Sequence, residues 1–131
     1  MSSNRRPNTA DAIVYFARFR IGEIRNWTGT SSKEAFVADT MLRVTVERNF
    51  IAIGEALRDL SRRIDLAALD PKGPWREPVA FRDFLAHVYA WEIDGYEVWA
   101  TTQLDLEVLD AALARIEPLV GGPFDPDREL T

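Results

Sequence analysis

Between Leu42 and Leu60 the residues Leu42, Val46, Phe50, Ile53, Leu57 and Leu60 recur at intervals of three or four, with no proline among them. That spacing is the period of an α-helix, not the alternation of a strand. Ser31-Ser32-Lys33-Glu34 reads as a capping box, Ser31 paired with Glu34. A long amphipathic helix is therefore expected from Phe36 to about Ile64. A second stripe, Val44, Ile51 and Gly54, runs along another side, bordered by Glu47, Arg48 and Arg58. A helix with two apolar sides is covered twice. One side serves its own core. The other meets either a partner subunit, with Gly54 permitting close approach, or the first or fourth helix of the same chain, and the pattern leaves both open.

The remaining segments read the same way. Thr9 is the expected N-cap of a first helix reaching about Trp27. Ile13, Phe16, Ile24 and Trp27 form its core stripe, Tyr15 and Phe19 widen it, and Gly29 ends it in a left-handed C-cap. Asp65 to Trp75 is a connector, with Leu66–Leu69 as one short turn and Asp70-Pro71-Lys72-Gly73-Pro74 breaking helix. The next helix starts near Trp75 and tolerates Pro78 in its first turn. Asp94 caps the last helix, with Leu106, Leu109, Leu113 and Ile116 inward, ended by Pro118 and Gly121-Gly122-Pro123. The expectation is an all-α, up-and-down bundle of four to five helices with no sheet. It divides into a flexible tail over 1–8, a helical domain over 9–118 and a flexible tail over 119–131.

Composition narrows the chemistry. With 131 residues the chain suits one domain. It has no cysteine and one histidine, so disulfides and thiolate chemistry are excluded, and no metal site or cofactor is expected. No apolar run approaches the roughly 20 residues that span a bilayer. Met1 to Thr9 lacks a secretory apolar segment, so a cytoplasmic protein is expected. The net charge of −5 argues against a broad nucleic-acid surface, so any RNA contact needs a local positive cleft or a basic partner.

The lone histidine lies in Phe81-Arg82-Asp83-Phe84-Leu85-Ala86-His87-Val88-Tyr89, an Arg-x4-His-x-Tyr pattern. On a helix, Phe81, Phe84, Leu85 and Val88 share an apolar face. At about 100° per residue, Arg82 and Tyr89 fall on one flank and Asp83 and His87 on the other. Ala86 and Ala90 lie between, as a strip that a helix or a nucleic-acid backbone can approach. Asp83 is placed to hydrogen-bond the His87 ring and raise its pKa. Arg82 and His87 diverge by roughly 140°, so one chain cannot readily clamp one phosphate with both. A symmetric dimer can, because each edge of its cleft then carries groups from two chains.

This pattern resembles the HepT-like ribonuclease toxins of the HEPN superfamily, small all-helical dimers with the signature Arg, four to six residues, His, often followed by x-Tyr. Three further stretches carry the resemblance. Arg48-Asn49-Phe50-Ile51-Ala52-Ile53-Gly54-Glu55-Ala56 is similar to an Arg-Asn-x-x-x-Ile-Gly-Glu-Ala-like segment in the family's second helix. Pro74-Trp75 is similar to its turn before the motif helix, although Pro78 stands where a β-branched residue is usual nearby. Asp94-x-x-x-Val98-Trp99 is similar to the start of its last helix.

The resemblance implies a metal-independent endoribonuclease toxin of a type VII-like toxin–antitoxin system. Arg82 and His87 are then catalytic, and Asp83, Glu55 and Asn49 support them beside the cleft. Tyr89 is the residue on which a minimal nucleotidyltransferase antitoxin places AMP. The partners implied are a second copy of the chain, that antitoxin and an RNA substrate, with no membrane. Two other readings stay open. One is a catalytically inactive HEPN-type dimer that binds and regulates a nucleotidyltransferase. The other is a small-molecule or nucleotide-binding bundle.

Overall fold

A computed structural model of the chain describes residues 9–129. The expected tail over 1–8 lies outside the described residues. Four long helices carry the architecture: α1 (Ala10–Thr28), α3 (Thr40–Arg63), α5 (Glu77–His87) and α6 (Gly95–Ile116). Two short helices lie between them, α2 (Lys33–Ala38) and α4 (Leu66–Leu69), and a third, α7 (Pro126–Glu129), follows α6. Short 3-10 turns cover Ala90–Glu92 and Glu117–Val120. Among the described residues there is no strand. None of the described helices is long and apolar enough to cross a membrane.

Helix α3 is the centre. It packs against α1 on one side and α5 on another, while α6 lies against α1 and α2. Its stripe of Val46, Phe50, Ile53, Leu57 and Leu60 is fully buried, together with Ile13, Ile21 and Ile24 of α1 and Leu106, Leu113 and Ile116 of α6. Each buried aliphatic side chain of this size contributes about 1.5–3 kcal/mol, which fixes the helix order more firmly than any surface ion pair. Arg18 of α1 binds Asp110 at 2.9 Å and Glu117 at 3.2 Å, and Arg115 of α6 binds Asp70 in the connector at 2.8 Å.

Several local expectations shift. The long second segment is two helices, because Asp39 leaves the helical backbone and caps α3 by accepting from the Leu42 N–H at 3.0 Å. Ser32, not Ser31, caps α2, accepting from the Ala35 N–H at 3.1 Å. Gly29 ends α1 in right-handed conformation (φ −64°), so no left-handed cap forms there. Phe16, Phe19 and Trp27 are exposed, and Ala12, Val14, Ala17 and Ile21 take the inward positions. Small side chains on that face let α1 sit close to its neighbours, and the large rings are displaced outward. Beyond Val120 the chain turns at Gly121, whose φ of +92° suits a residue without Cβ. Phe124 then packs its ring against Tyr15 and Phe16.

Candidate active site at the crossing of α3 and α5

The site is built where α5 crosses the middle of α3. Gly54 makes the crossing possible. A Cβ on Gly54 would stand 2.8 Å from the carbonyl oxygen of Pro78 and would overlap the side-chain stem of Arg82. The second stripe of α3 is thus covered at Gly54 by α5 of the same chain, whereas Val44 at its other end is exposed, contrary to the expected second covered side. Trp75 anchors the approach, buried against the core with its indole N–H donating to the Asp70 carbonyl at 2.8 Å. From that anchor the backbone enters α5 at Glu77, with Pro78 in the first turn as expected.

Close approach brings four charged side chains into one network. The Arg82 guanidinium donates to Glu55 at 3.1 Å and to Asp83 at 3.1 Å. Asp83 in turn accepts from the Nη2 of Arg58, at 2.7 and 2.8 Å to its two oxygens. Glu55 holds the Arg82 pKa above its ordinary value, with Asp83 second. Arg58 and then Arg82 lower the Asp83 pKa, so Asp83 is a firm anion. The Nε of Arg82 is buried without a partner. Each terminal nitrogen of Arg82 carries two N–H groups, and one on each is spent on a carboxylate. The other two remain available for an incoming oxyanion, on a side chain already held in place.

His87 is the last residue of α5 and is exposed, and no hydrogen bond to its ring occurs among the described residues. Asp83 therefore serves the two arginines and not the imidazole, contrary to the expected Asp83–His87 bond. Arg58 outcompetes the ring because it offers a full charge at hydrogen-bond distance. The helix also stops sooner than expected. Val88 is extended (φ −94°, ψ 154°), so Tyr89 leaves the helix and the expected flank shared by Arg82 and Tyr89 does not form. Val88 is β-branched and gives up helix readily, and the chain must turn within a few residues to reach the Asp94 cap of α6. Tyr89 is exposed, with its ring stacked on that of Trp91 at 4.7 Å and an interplanar angle of 2°. Ala90 likewise belongs to the 3-10 turn and not to a strip along α5.

Of the supporting residues, Glu55 joins Arg82 and Asn49 does not. Asn49 is buried; its amide donates to the Thr45 carbonyl one turn back on α3 at 2.9 Å, and its oxygen accepts from Arg20 of α1 at 3.4 Å. Its five-residue offset from Gly54 turns it about 140° away from the crossing. Arg58 was missed as a site residue. It follows Gly54 by one helical turn, so the same-face rule points to it once Gly54 is known to meet α5. Among the described residues no group of three or more His, Asp or Glu side chains is arranged to hold a metal ion.

The network fixes the motif arginine, and the imidazole stands free one and a half turns along. The site therefore offers a tethered cation and, farther along the same helix, an exposed imidazole.

Comparison with known proteins bears on this site. Two proteins of Methanocaldococcus jannaschii, named "Putative RNase MJ1216" and "Putative RNase MJ0125", are each 26% identical to the chain over 105 residues. The aligned part is 80% of this chain in both, and 84% and 88% of the respective relatives. No solved structure gives a significant match. The family model described as ribonuclease HepT-like matches residues 19–116, a span holding the whole α3–α5 crossing, Tyr89 and α6. With three-quarters of its length matched, and the motif arginine and histidine both inside that match, this chain belongs to the HepT-like ribonuclease family.

Proposed function

We propose that this protein is a metal-independent endoribonuclease that cuts RNA in a groove shared by two copies of the chain. The observation that carries the reading is the Glu55–Arg82–Asp83–Arg58 network, which holds Arg82 in place while His87 stays open to solvent. Arg82 and His87 sit about 140° apart on α5. A second copy facing the first supplies the missing groups from the opposite wall.

RNA brings its own nucleophile. His87 of one copy takes the proton of the 2′-hydroxyl, and that oxygen bonds to the adjacent phosphorus. The bond from phosphorus to the 5′-oxygen breaks, and His87 of the second copy, as imidazolium, protonates the leaving oxygen. The products are a 2′,3′-cyclic phosphate and a 5′-hydroxyl. An imidazole suits both steps because its pKa lies near the working pH. The two uncommitted N–H groups of Arg82 bind the non-bridging oxygens and stabilise the charge of the pentavalent transition state.

The biological setting in this reading is a toxin–antitoxin pair. A nucleotidyltransferase transfers AMP from ATP to the Tyr89 oxygen, pyrophosphate leaves and the phenol loses its proton. Exposure of the Tyr89 ring outside the helix supports its access to such an enzyme. The bulky anion added there obstructs the approach of an RNA phosphate.

The test is incubation of purified protein with RNA in the presence of a chelator. His87→Ala is expected to lower the rate by about 10²–10⁴-fold and Arg82→Ala by about 10²–10³-fold, with the dimer intact by light scattering. Full activity in both variants refutes the assignment. Tyr89→Phe keeps cleavage and escapes AMP addition; a mass gain on that variant with ATP and the nucleotidyltransferase refutes the switch. The second reading, an inactive dimer that regulates a nucleotidyltransferase, is favoured by the net charge of −5 and by the carboxylates already held by Arg82. Absence of any cleavage by the unaltered chain selects it.

A further inference from the structure

A groove of about 780 Å³ lies between the end of α3, α4 and the start of α5. Its walls include Ile64, Trp75 and Val79, and its rim carries Arg62, Arg76 and Asp83. The charges on that rim are unequal. Asp83 is held by Arg58 and Arg82, Asp65 caps α4 through the Ala68 N–H, and Arg63 binds Asp59. Arg62 and Arg76 are exposed, and among the described residues neither pairs with a carboxylate. In a chain of net charge −5 this is a local cationic rim over an apolar floor.

The groove also points at the site. Arg76 precedes α5, and Arg76, Ala80, Asp83 and His87 follow one another at helical intervals. At about 100° per residue they fall within roughly 60° of each other. The rim is therefore continuous with the surface that carries His87. A groove with an apolar floor and cations at its edge matches single-stranded RNA, whose bases lie on apolar surface while its phosphates face arginine.

We propose that this groove binds the single-stranded RNA flanking the cut, with Arg62 and Arg76 each meeting a backbone phosphate. The assignment rests on the ribonuclease reading above and adds where the substrate lies. Arg62 and Arg76 are binding residues here; neither takes part in the bond changes.

The experiment measures binding of a fluorescent single-stranded oligoribonucleotide to the full-length chain carrying His87→Ala, so that nothing is cut. It is repeated with Arg62→Gln and Arg76→Gln added. Each phosphate contact contributes about 0.7 to the slope of log affinity against log salt for a single strand. Losing two flattens the slope by about 1.4, so a fourfold rise in salt costs the double variant about sevenfold less affinity than its parent. In chains that retain His87, the two substitutions raise KM and leave kcat near its starting value. Arg20→Gln on the α1 side of α3 leaves slope and KM unchanged. An acidic peptide is run as a competing probe. A double variant that loses the peptide but keeps the RNA slope overturns the assignment, and so does an unchanged KM where the parent cuts RNA. If the unaltered chain cuts nothing, the ribonuclease reading itself fails, and the unchanged or flattened slope still decides whether the groove binds RNA.

Discussion

Replacing glycine by alanine in the two long helices α1 and α3 is expected to have opposite effects. Gly22 lies inside α1, and a Cβ there meets nothing within 4 Å. Alanine is favoured over glycine in a helix interior by about 0.5–1 kcal/mol, so Gly22→Ala stabilises by about that amount. Gly54 lies inside α3 and has the same propensity to gain. Its added Cβ, however, stands 2.8 Å from the Pro78 carbonyl oxygen and overlaps the first carbons of Arg82. A backbone oxygen and a side-chain stem cannot swing aside, so α5 must move. Overpacking of this kind costs about 1–3 kcal/mol, and the rigid neighbours put Gly54→Ala at the upper end. Setting the propensity gain of about 0.5–1 kcal/mol against that leaves a net loss of about 2–2.5 kcal/mol. For a chain of this size the melting temperature moves by about 4 °C per kcal/mol. Thermal unfolding followed by circular dichroism should then show a fall of about 8–10 °C for Gly54→Ala and a rise of about 2–4 °C for Gly22→Ala. Moving α5 also lengthens the 3.1 Å contact between Glu55 and Arg82, so RNA cleavage should fall with Gly54→Ala and not with Gly22→Ala. Equal or higher stability for Gly54→Ala refutes the claim that the α3–α5 contact depends on this glycine.

Three further outcomes follow from named contacts. Asp83 has its pKa lowered in the fold by Arg58 and Arg82, so its stabilising contribution is complete above its ordinary value of 3.8 and is lost as pH falls through the depressed folded value; Asp83→Asn should flatten the acid limb of stability measured by urea unfolding. Half-buried Glu47 has its pKa raised by burial, so its contribution is present below its ordinary 4.5 and is lost as pH rises through the raised folded value; Glu47→Gln should unfold at higher urea at pH 7 and match the parent near pH 4. Ser32→Ala removes the cap on α2 and should cost about 0.5–2 kcal/mol, whereas Ser31→Ala, which removes no cap bond, should leave the melting temperature within about 1 °C; the reverse order in thermal unfolding would show that the cap belongs to Ser31.

The inward faces of α3 and α6 were legible because apolar residues at three- and four-residue spacing have only one way to hide in water. Val46, Phe50, Ile53, Leu57 and Leu60 of α3 and Leu106, Leu109, Leu113 and Ile116 of α6 are buried, while Leu42, near the start of α3, is only partly so. Helix α1 was less legible. Its aromatic residues are as apolar as its aliphatic ones, and only the close packing of neighbours decides that Ala17 goes inside and Phe19 outside. The separation of α2 from α3 is not visible in the apolar pattern, because the break at Asp39 leaves the period nearly intact.

The pattern of residues by itself determined an all-helical chain, the placement of its long core stripes and an arginine five positions before the lone histidine. Those depend on period and local chemistry, which act within a few residues. Tertiary structure alone decided which carboxylate each arginine holds. Glu55 and Arg58 meet Arg82 and Asp83 across a gap of more than twenty residues, and they do so because Gly54 lets two helices touch. It also decided that the motif helix ends at His87 and leaves Tyr89 outside, since the length of a helix is set by where the next one has to begin.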